Sequence, residues 1–277
     1  MKQKTGKKDR QRRKGRKLKP LILTAVILLL IVVPLLVVFV SPLFEIREID
    51  VAATEHVSAA EINGYLEKYV GKNGLITVLK NSSLRQKNSF FSLRLSETED
   101  EILFEHAYLE SVTVKYEPKH VLRVELTERK ASFLTEYYDI FLLCDIHGIV
   151  LDTFTSEDVP DDMPLIKGII PAGYKLGRSI SDGKDRNIDT AIKICELMTQ
   201  LDMMGYVDII DVSDFSNIRM YCAPSLTIIL GSPEDIGVRL SLLKGTMDKG
   251  LNGNSDGTLS VADGKQATFV KNGERED

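Results

Sequence analysis

The sequence predicts an α+β protein: a single N-terminal transmembrane helix, then a β-α-α-β-β domain, then a mostly β second domain with two helices. Three observations carry that prediction. Residues 21–40 form an uncharged apolar run of twenty residues, and at about 1.5 Å per residue such a helix matches the roughly 30 Å hydrocarbon core of a bilayer. Residues 44–129 contain helical and alternating patterns in a fixed order. From Ala131 onward short apolar runs separated by turn residues dominate, interrupted by two amphipathic stretches.

The apolar run is the first element. Its only side-chain polar atom is the Thr24 hydroxyl, and Pro34 is a residue that membrane helices tolerate. A buried soluble helix is the alternative, but such helices rarely lack a polar face. Residues 1–20 hold eleven Lys and Arg against Asp9, a local balance near +10 in a chain of net charge −4, so the remainder is near −14. Basic flanks stay cytoplasmic. Arg12, Arg13, Lys14, Arg16, Lys17 and Lys19, nearest the run, therefore act as topology determinants. The expected order is a basic cytoplasmic tail at 1–20, a transmembrane helix at 21–43 and the rest of the chain outside the membrane. A cleaved signal peptide has a shorter apolar core and a small-residue cleavage site, whereas here Ser41-Pro42-Leu43-Phe44 follows. The Arg12-Arg13 pair lacks the apolar positions of a twin-arginine signal. A basic run beside a membrane helix is a topology and lipid feature before it is a nucleic-acid site.

Phe44, Ile46, Ile49 and Val51 mark the first strand. Ser58-Ala59-Ala60-Glu61 is a capping box opening a helix with Ile62, Leu66 and Tyr69 inward, which Gly71 and Gly74 are expected to stop. Residues 75–95 read as an apolar turn followed by a surface loop. Ser96-Glu97-Thr98-Glu99 reads as a second capping box, opening a helix to about Ala107. Val112, Val114 and Tyr116, then Leu122, Val124 and Leu126, alternate around Glu117-Pro118-Lys119 and predict a hairpin. Residues 44–129 thus follow the order of a POTRA domain, a module that binds polypeptides by adding strands to its sheet edge.

In residues 130–271, two strand-like stretches, 131–145 and 149–154, meet at the turn Asp145-Ile146-His147-Gly148. A short strand over 165–170 precedes an amphipathic helix to about Leu201 with Ile188, Ala191, Ile192, Cys195 and Met198 inward. Strands over 207–212, 218–222 and 226–230 follow. Ser232, as N-cap before Pro233, predicts a helix with Ile236, Leu240 and Leu243 inward. Short β segments at 258–262 and 266–271 flank Asp263-Gly264, and 272–277 is a polar tail.

Catalytic signatures are missing. His56, His106, His120 and His147 lack metal-binding spacing, and neither a nucleophile elbow nor a phosphate-cradling loop occurs. His147 beside Asp145 is most simply part of a polar turn. Residues 96–101 and 157–162 are acidic but lack Ca²⁺-loop spacing. Cys144, Cys195 and Cys222 lie in apolar contexts and read as small buried hydrophobes, with a disulfide between one pair left open. No cofactor is expected. The chain reads as a non-enzymatic, protein-binding scaffold.

Several stretches together resemble the FtsQ/DivIB family of bacterial division proteins. They are the F-x-I-x-x-I-x-V strand from Phe44 to Val51; Val124-Glu125-Leu126-Thr127-Glu128-Arg129; the D-x-x-G-x-V turn from Asp145 to Val150; Met163-Pro164-Leu165-Ile166-Lys167-Gly168; Leu230-Gly231; and Thr258-Leu259-Ser260-Val261 with Gly264 and Phe269. The chain departs from the family pattern at Ala131, Thr258 and Val261, and residues 75–95 look like an insertion. The resemblance implies a septal membrane protein that joins FtsL-type and FtsB/DivIC-type partners and helps recruit and regulate septal peptidoglycan synthases. It also implies a partner-binding edge strand at Val261, Thr268, Phe269 and Val270, with Thr268 expected to supply an edge amide. A membrane-anchored POTRA-type polypeptide-binding chaperone and a cell-wall enzyme are the alternatives.

Overall fold

The computed structural model describes residues 22–37, 41–52, 54–81, 92–222, 224–250 and 256–272. The protein is α+β. Helix α1 covers 22–37, and its described side chains are exposed. No helix among the described residues is long and apolar enough to cross a membrane. The basic residues from Arg12 to Lys19 lie outside the described residues.

The described residues divide into two compact units. The first holds those up to Thr54 with Ser58–Ile102 and Val112–Leu126; the second holds Glu55–Val57, Leu103–Ser111 and the chain from Thr127. The elements in chain order are β1 (Glu48–Val51), α2 (Ala59–Leu66), a 3₁₀ turn (Glu67–Tyr69), α3 (Gly74–Lys80), α4 (Ser96–Glu105), β2 (Leu109–Glu117) and β3 (Val121–Glu128). The sheet order is β1-β3-β2, with β1 parallel to β3. Alternation works as expected: Val112, Val114, Tyr116, Leu122 and Val124 are buried with Ile62, Leu66 and Ile102. Ser58 caps α2 in a true capping box, its hydroxyl accepting from Glu61 N–H and Glu61 accepting from Ser58 N–H.

Two expectations in this stretch are overturned. Gly74 starts a helix instead of stopping one. Asn73 Oδ1 accepts from the Leu75 and Ile76 amides at 3.0 and 3.2 Å, satisfying the first turn of α3. The bare Cα of Gly74 lets Tyr116 lie against it, where a Cβ would stand 2.3 Å from the ring. The part of the expected loop at 82–91 lies outside the described residues. The second correction is the box at Ser96, which does not form. Arg94 offers Glu99 a charged pair (2.7 Å), and Glu99 also accepts from Val114 N–H (2.8 Å), so its carboxylate turns away from Ser96. Asn81 caps α4 from a distance instead, accepting from Glu97 N–H at its carbonyl (3.1 Å) and from Thr98 N–H at its side chain (3.1 Å).

The later strands and helices are β4 (Ala131–Tyr137), β5 (Ile140–Asp145), β6 (Val150–Phe154), β7 (Leu165–Lys167), α5 (Arg186–Gln200), β8 (Ile209–Asp211), β9 (Ile218–Cys222), β10 (Leu226–Gly231), α6 (Ile236–Met247), β11 (Gly257–Ser260) and β12 (Thr268–Lys271). The nine described strands form one sheet, ordered β12-β11-β10-β9-β8-β7-β4-β5-β6. The stretch 131–145 is therefore two strands, because the chain reverses at Tyr138-Asp139 without any glycine, asparagine or proline. Helices α5 and α6 contribute Ile188, Ala191, Ile194, Cys195, Met198, Ile236, Leu240, Leu243 and Met247 to the core. Ile194 takes the buried place expected of Ile192, which is only partly covered. Asp185 caps α5. Asp235, with a left-handed backbone, precedes α6; Ser232 does not cap it, and its carbonyl instead accepts from Arg239 Nη1.

Cys144, Cys195 and Cys222 are free and buried. Burial, the largest cause in each case, pushes all three thiols up, Cys222 to about 12.

Candidate functional site

The register around the terminal strand decides what this edge can do. Strand β11 runs parallel to β10 and antiparallel to β12, pairing Thr258 with Val270, Leu259 with Phe269 and Ser260 with Thr268. Gly257 N–H donates to Ser225 O (3.4 Å) and Val261 N–H to Ile229 O (3.0 Å), so the backbone groups of odd-numbered residues here face β10. Asn272 N–H donates to Asp256 O (3.3 Å), so even-numbered groups face β12. Antiparallel pairs alternate between bonded and non-bonded. Hence the backbone groups of Thr268 and Val270 turn inward to β11, and those of Phe269 and Lys271 point away from the sheet. Among the described residues no strand pairs with that outer side.

The four residues expected at the edge therefore separate. Val261 is fully buried, with its amide committed to β10. Its side chain belongs to the core and is not presented on the edge. Thr268 is exposed, but its amide is not an edge amide. Phe269 and Val270 are 38% and 51% exposed. The Phe269 ring lies across Gly257, where a Cβ would stand 2.7 Å from the ring and 2.5 Å from Val270 O. Lys271, whose amide faces outward, was not among the expected residues; the bonding phase that identifies it needs the neighbouring strands.

The turn feeding β12 is built by Asp263. Its Oδ1 accepts from the Lys265 and Gln266 amides (2.9 and 3.1 Å), and those bonds hold the carboxyl below its ordinary range. At the other end of the sheet the chain covers the start of its own edge strand, β6. Val150 N–H donates to Arg178 O (2.9 Å), Val150 O accepts from Gly177 N–H (2.8 Å), and Ile149 bridges Ser179. Natural sheets commonly block an edge that is not to be used.

Two of the sequence marks meet in the second unit. Arg129 Nη1 donates to Oδ2 of the buried Asp145 (2.9 Å), whose Oδ1 accepts from the His147 and Ile149 amides, both at 2.9 Å. Glu128 accepts from the Glu55, His56 and Val57 amides (3.2, 2.8 and 3.1 Å), and the His56 ring stacks on Tyr108 at 4.2 Å. His147 Nδ1 bonds Glu196 Oε1 (2.9 Å) and not Asp145. Among the described residues no group of three or more His, Cys, Asp and Glu is arranged to hold a metal ion.

No protein-family model matches the chain. In sequence it is similar to the cell division protein DivIB of Clostridium acetobutylicum, 22% identical over 166 residues, a match covering 59% of this chain and 64% of that protein. The chain thus spans less than two thirds of that relative. Among solved structures it is similar to the major extracytoplasmic domain of the trans isomer of the bacterial cell division protein DivIB from Geobacillus stearothermophilus. That comparison has a TM-score of 0.30 and 13% identity, covering 46% of this chain and 99% of that one. The sequence relative bears out the FtsQ/DivIB family resemblance, at low identity.

Proposed function

We propose that this chain is a non-enzymatic, single-pass membrane scaffold of the bacterial division machinery. In this reading residues 1–20 are a cytoplasmic tail, 21–43 the membrane anchor, 44–129 a POTRA domain, 130–271 an FtsQ/DivIB-type β domain and 272–277 a polar tail. The extracytoplasmic part gathers FtsL-type and FtsB/DivIC-type partners at the septum and so helps recruit and regulate septal peptidoglycan synthases.

The observation that supports it best is the edge of β12, unpaired among the described residues, with outward backbone groups at Phe269 and Lys271. An extended partner segment adds there as a further strand, its affinity coming from main-chain bonds and its selectivity from neighbouring side chains. Phe269 and Val270, partly exposed on opposite faces of the strand, are those side chains.

The test uses the full chain, comparing Lys271→Pro with Lys271→Ala. Proline removes one outward amide without touching the β11 pairing, and alanine keeps it. Lys271→Pro is expected to lower co-purification of an FtsB/DivIC-type partner while Lys271→Ala preserves it. Equal capture by both folded variants would refute the edge. A fluorescent fusion tests the wider reading: label spread evenly around the envelope of dividing cells, without septal enrichment, is the refuting result.

A further inference from the structure

A second surface stands apart from β12, at the tip of the β4–β5 hairpin. Tyr137 pairs with Ile140, so the loop is the two residues Tyr138-Asp139. Tyr138 has φ of 52°, and Asp139 is not in the positive region. A two-residue hairpin loop with positive φ at its first position ordinarily carries glycine there. A bulky side chain in that conformation is an outlier. Burial does not compensate for it, since Tyr138 is 86% exposed. Backbone strain that packing does not explain is a mark of functional surfaces.

The surroundings give the chemistry. Tyr138 meets Tyr137 edge to face at 4.8 Å, and Tyr137 meets Tyr174 at 5.2 Å. An edge-to-face contact occupies at most one face of a ring, so the exposed Tyr138 ring keeps a face open. Asp139 beside it is exposed and in no ion pair among the described residues, while Glu136, paired with Phe141, alternates onto the sheet face opposite Tyr137. Two other aromatic rings carry cations from the chain: Lys175 Nζ lies 4.3 Å from the Phe104 centroid, and the Arg186 guanidinium 4.1 Å from that of Phe215. Lys175 follows Tyr174 directly but is turned onto Phe104, and the hairpin residues 136–140 include no Lys or Arg. The tip therefore presents an aromatic face and the Asp139 carboxylate, with no cation from the described chain. We infer that the Tyr137–Tyr138–Tyr174 tip is a docking site for an arginine side chain on an extended segment of a partner protein. Arginine fits better than lysine because its planar guanidinium stacks on a ring while its edge donates to a carboxylate.

The experiment uses the full chain in detergent micelles at physiological salt, with a labelled heptapeptide carrying one central arginine among serine, threonine and glycine. The control peptide carries citrulline, which has the same shape without the charge. Fluorescence anisotropy is expected to show the arginine peptide binding about three- to thirtyfold more tightly than the citrulline peptide. Tyr138→Phe, which keeps the π face, retains that preference, and Tyr138→Leu loses it. Tyr138→Gly loses it as well while melting no lower than the parent, since glycine relieves the turn, so loss of binding is separated from loss of fold. Non-specific attraction to the acidic ectodomain would survive Tyr138→Gly, and that result overturns the inference. So does equal binding of the two peptides, or competition by a neutral oligosaccharide as effective as the arginine peptide.

Discussion

Asp145 is 3% exposed, and its carboxylate accepts three hydrogen bonds, from Arg129 and from the His147 and Ile149 amides. Asp145→Ala removes all three and leaves the Arg129 charge, on a side chain 19% exposed, facing an apolar methyl. Breaking a buried pair from one side costs about 3–5 kcal/mol. Arg129→Ala leaves the carboxylate its two amides and should cost less, about 1.5–3 kcal/mol, the range for a hydrogen bond to a charged group. A double-mutant cycle should return a coupling of about 1.5–3 kcal/mol, because each single change removes the same contact. Denaturant unfolding followed by far-UV circular dichroism gives the totals. Hydrogen exchange over 145–150 gives the local view, with the His147 and Ile149 amides exchanging about a hundredfold faster or more in Asp145→Ala. If Asp145→Ala stays within about 0.5 kcal/mol of the parent, or the cycle returns no coupling, the ion pair does not hold this turn.

Three further outcomes follow from the same contacts. Gly257→Ala places a Cβ where Val270 O and the Phe269 ring now lie, and should cost about 1–3 kcal/mol and loosen β12, measured as faster exchange over 268–271. The three buried thiols, all shifted upward, should resist iodoacetamide at pH 8 in the native protein and react fully in guanidinium; rapid native labelling would contradict their burial. Asp263, held below its ordinary range in the fold, contributes stability that is fully present above its unfolded value near 3.9. That contribution is lost as pH falls through the lower folded value, so the protection factors of the Lys265 and Gln266 amides should fall below about pH 4 and stay flat from pH 5 to 8.

Local pattern determined much of this protein. The Ser58–Glu61 cap, the alternation of β2 and β3 and the inward Ile236, Leu240 and Leu243 of α6 depend on residues a few positions apart, so their periods are written in the chain. Whatever depends on a distant partner was decided only by tertiary structure. Ser96-Glu97-Thr98-Glu99 has the letters of a capping box, but Arg94 and Val114 N–H outbid Ser96 for Glu99. Gly74 looks like a helix stop until the Tyr116 ring is seen to need its missing Cβ. The Tyr138-Asp139 turn puts a tyrosine at the positive-φ position where glycine is ordinarily found. The edge strand shows the division best. Its existence near the C-terminal end could be read from 266–271, but which amides face outward could not. That is fixed by the hydrogen-bonding phase inherited from β10 through β11, which moves the available backbone groups to Phe269 and Lys271 and places Val261 in the core. Side-chain alternation is a property of one strand; the direction of a backbone amide is a property of the sheet.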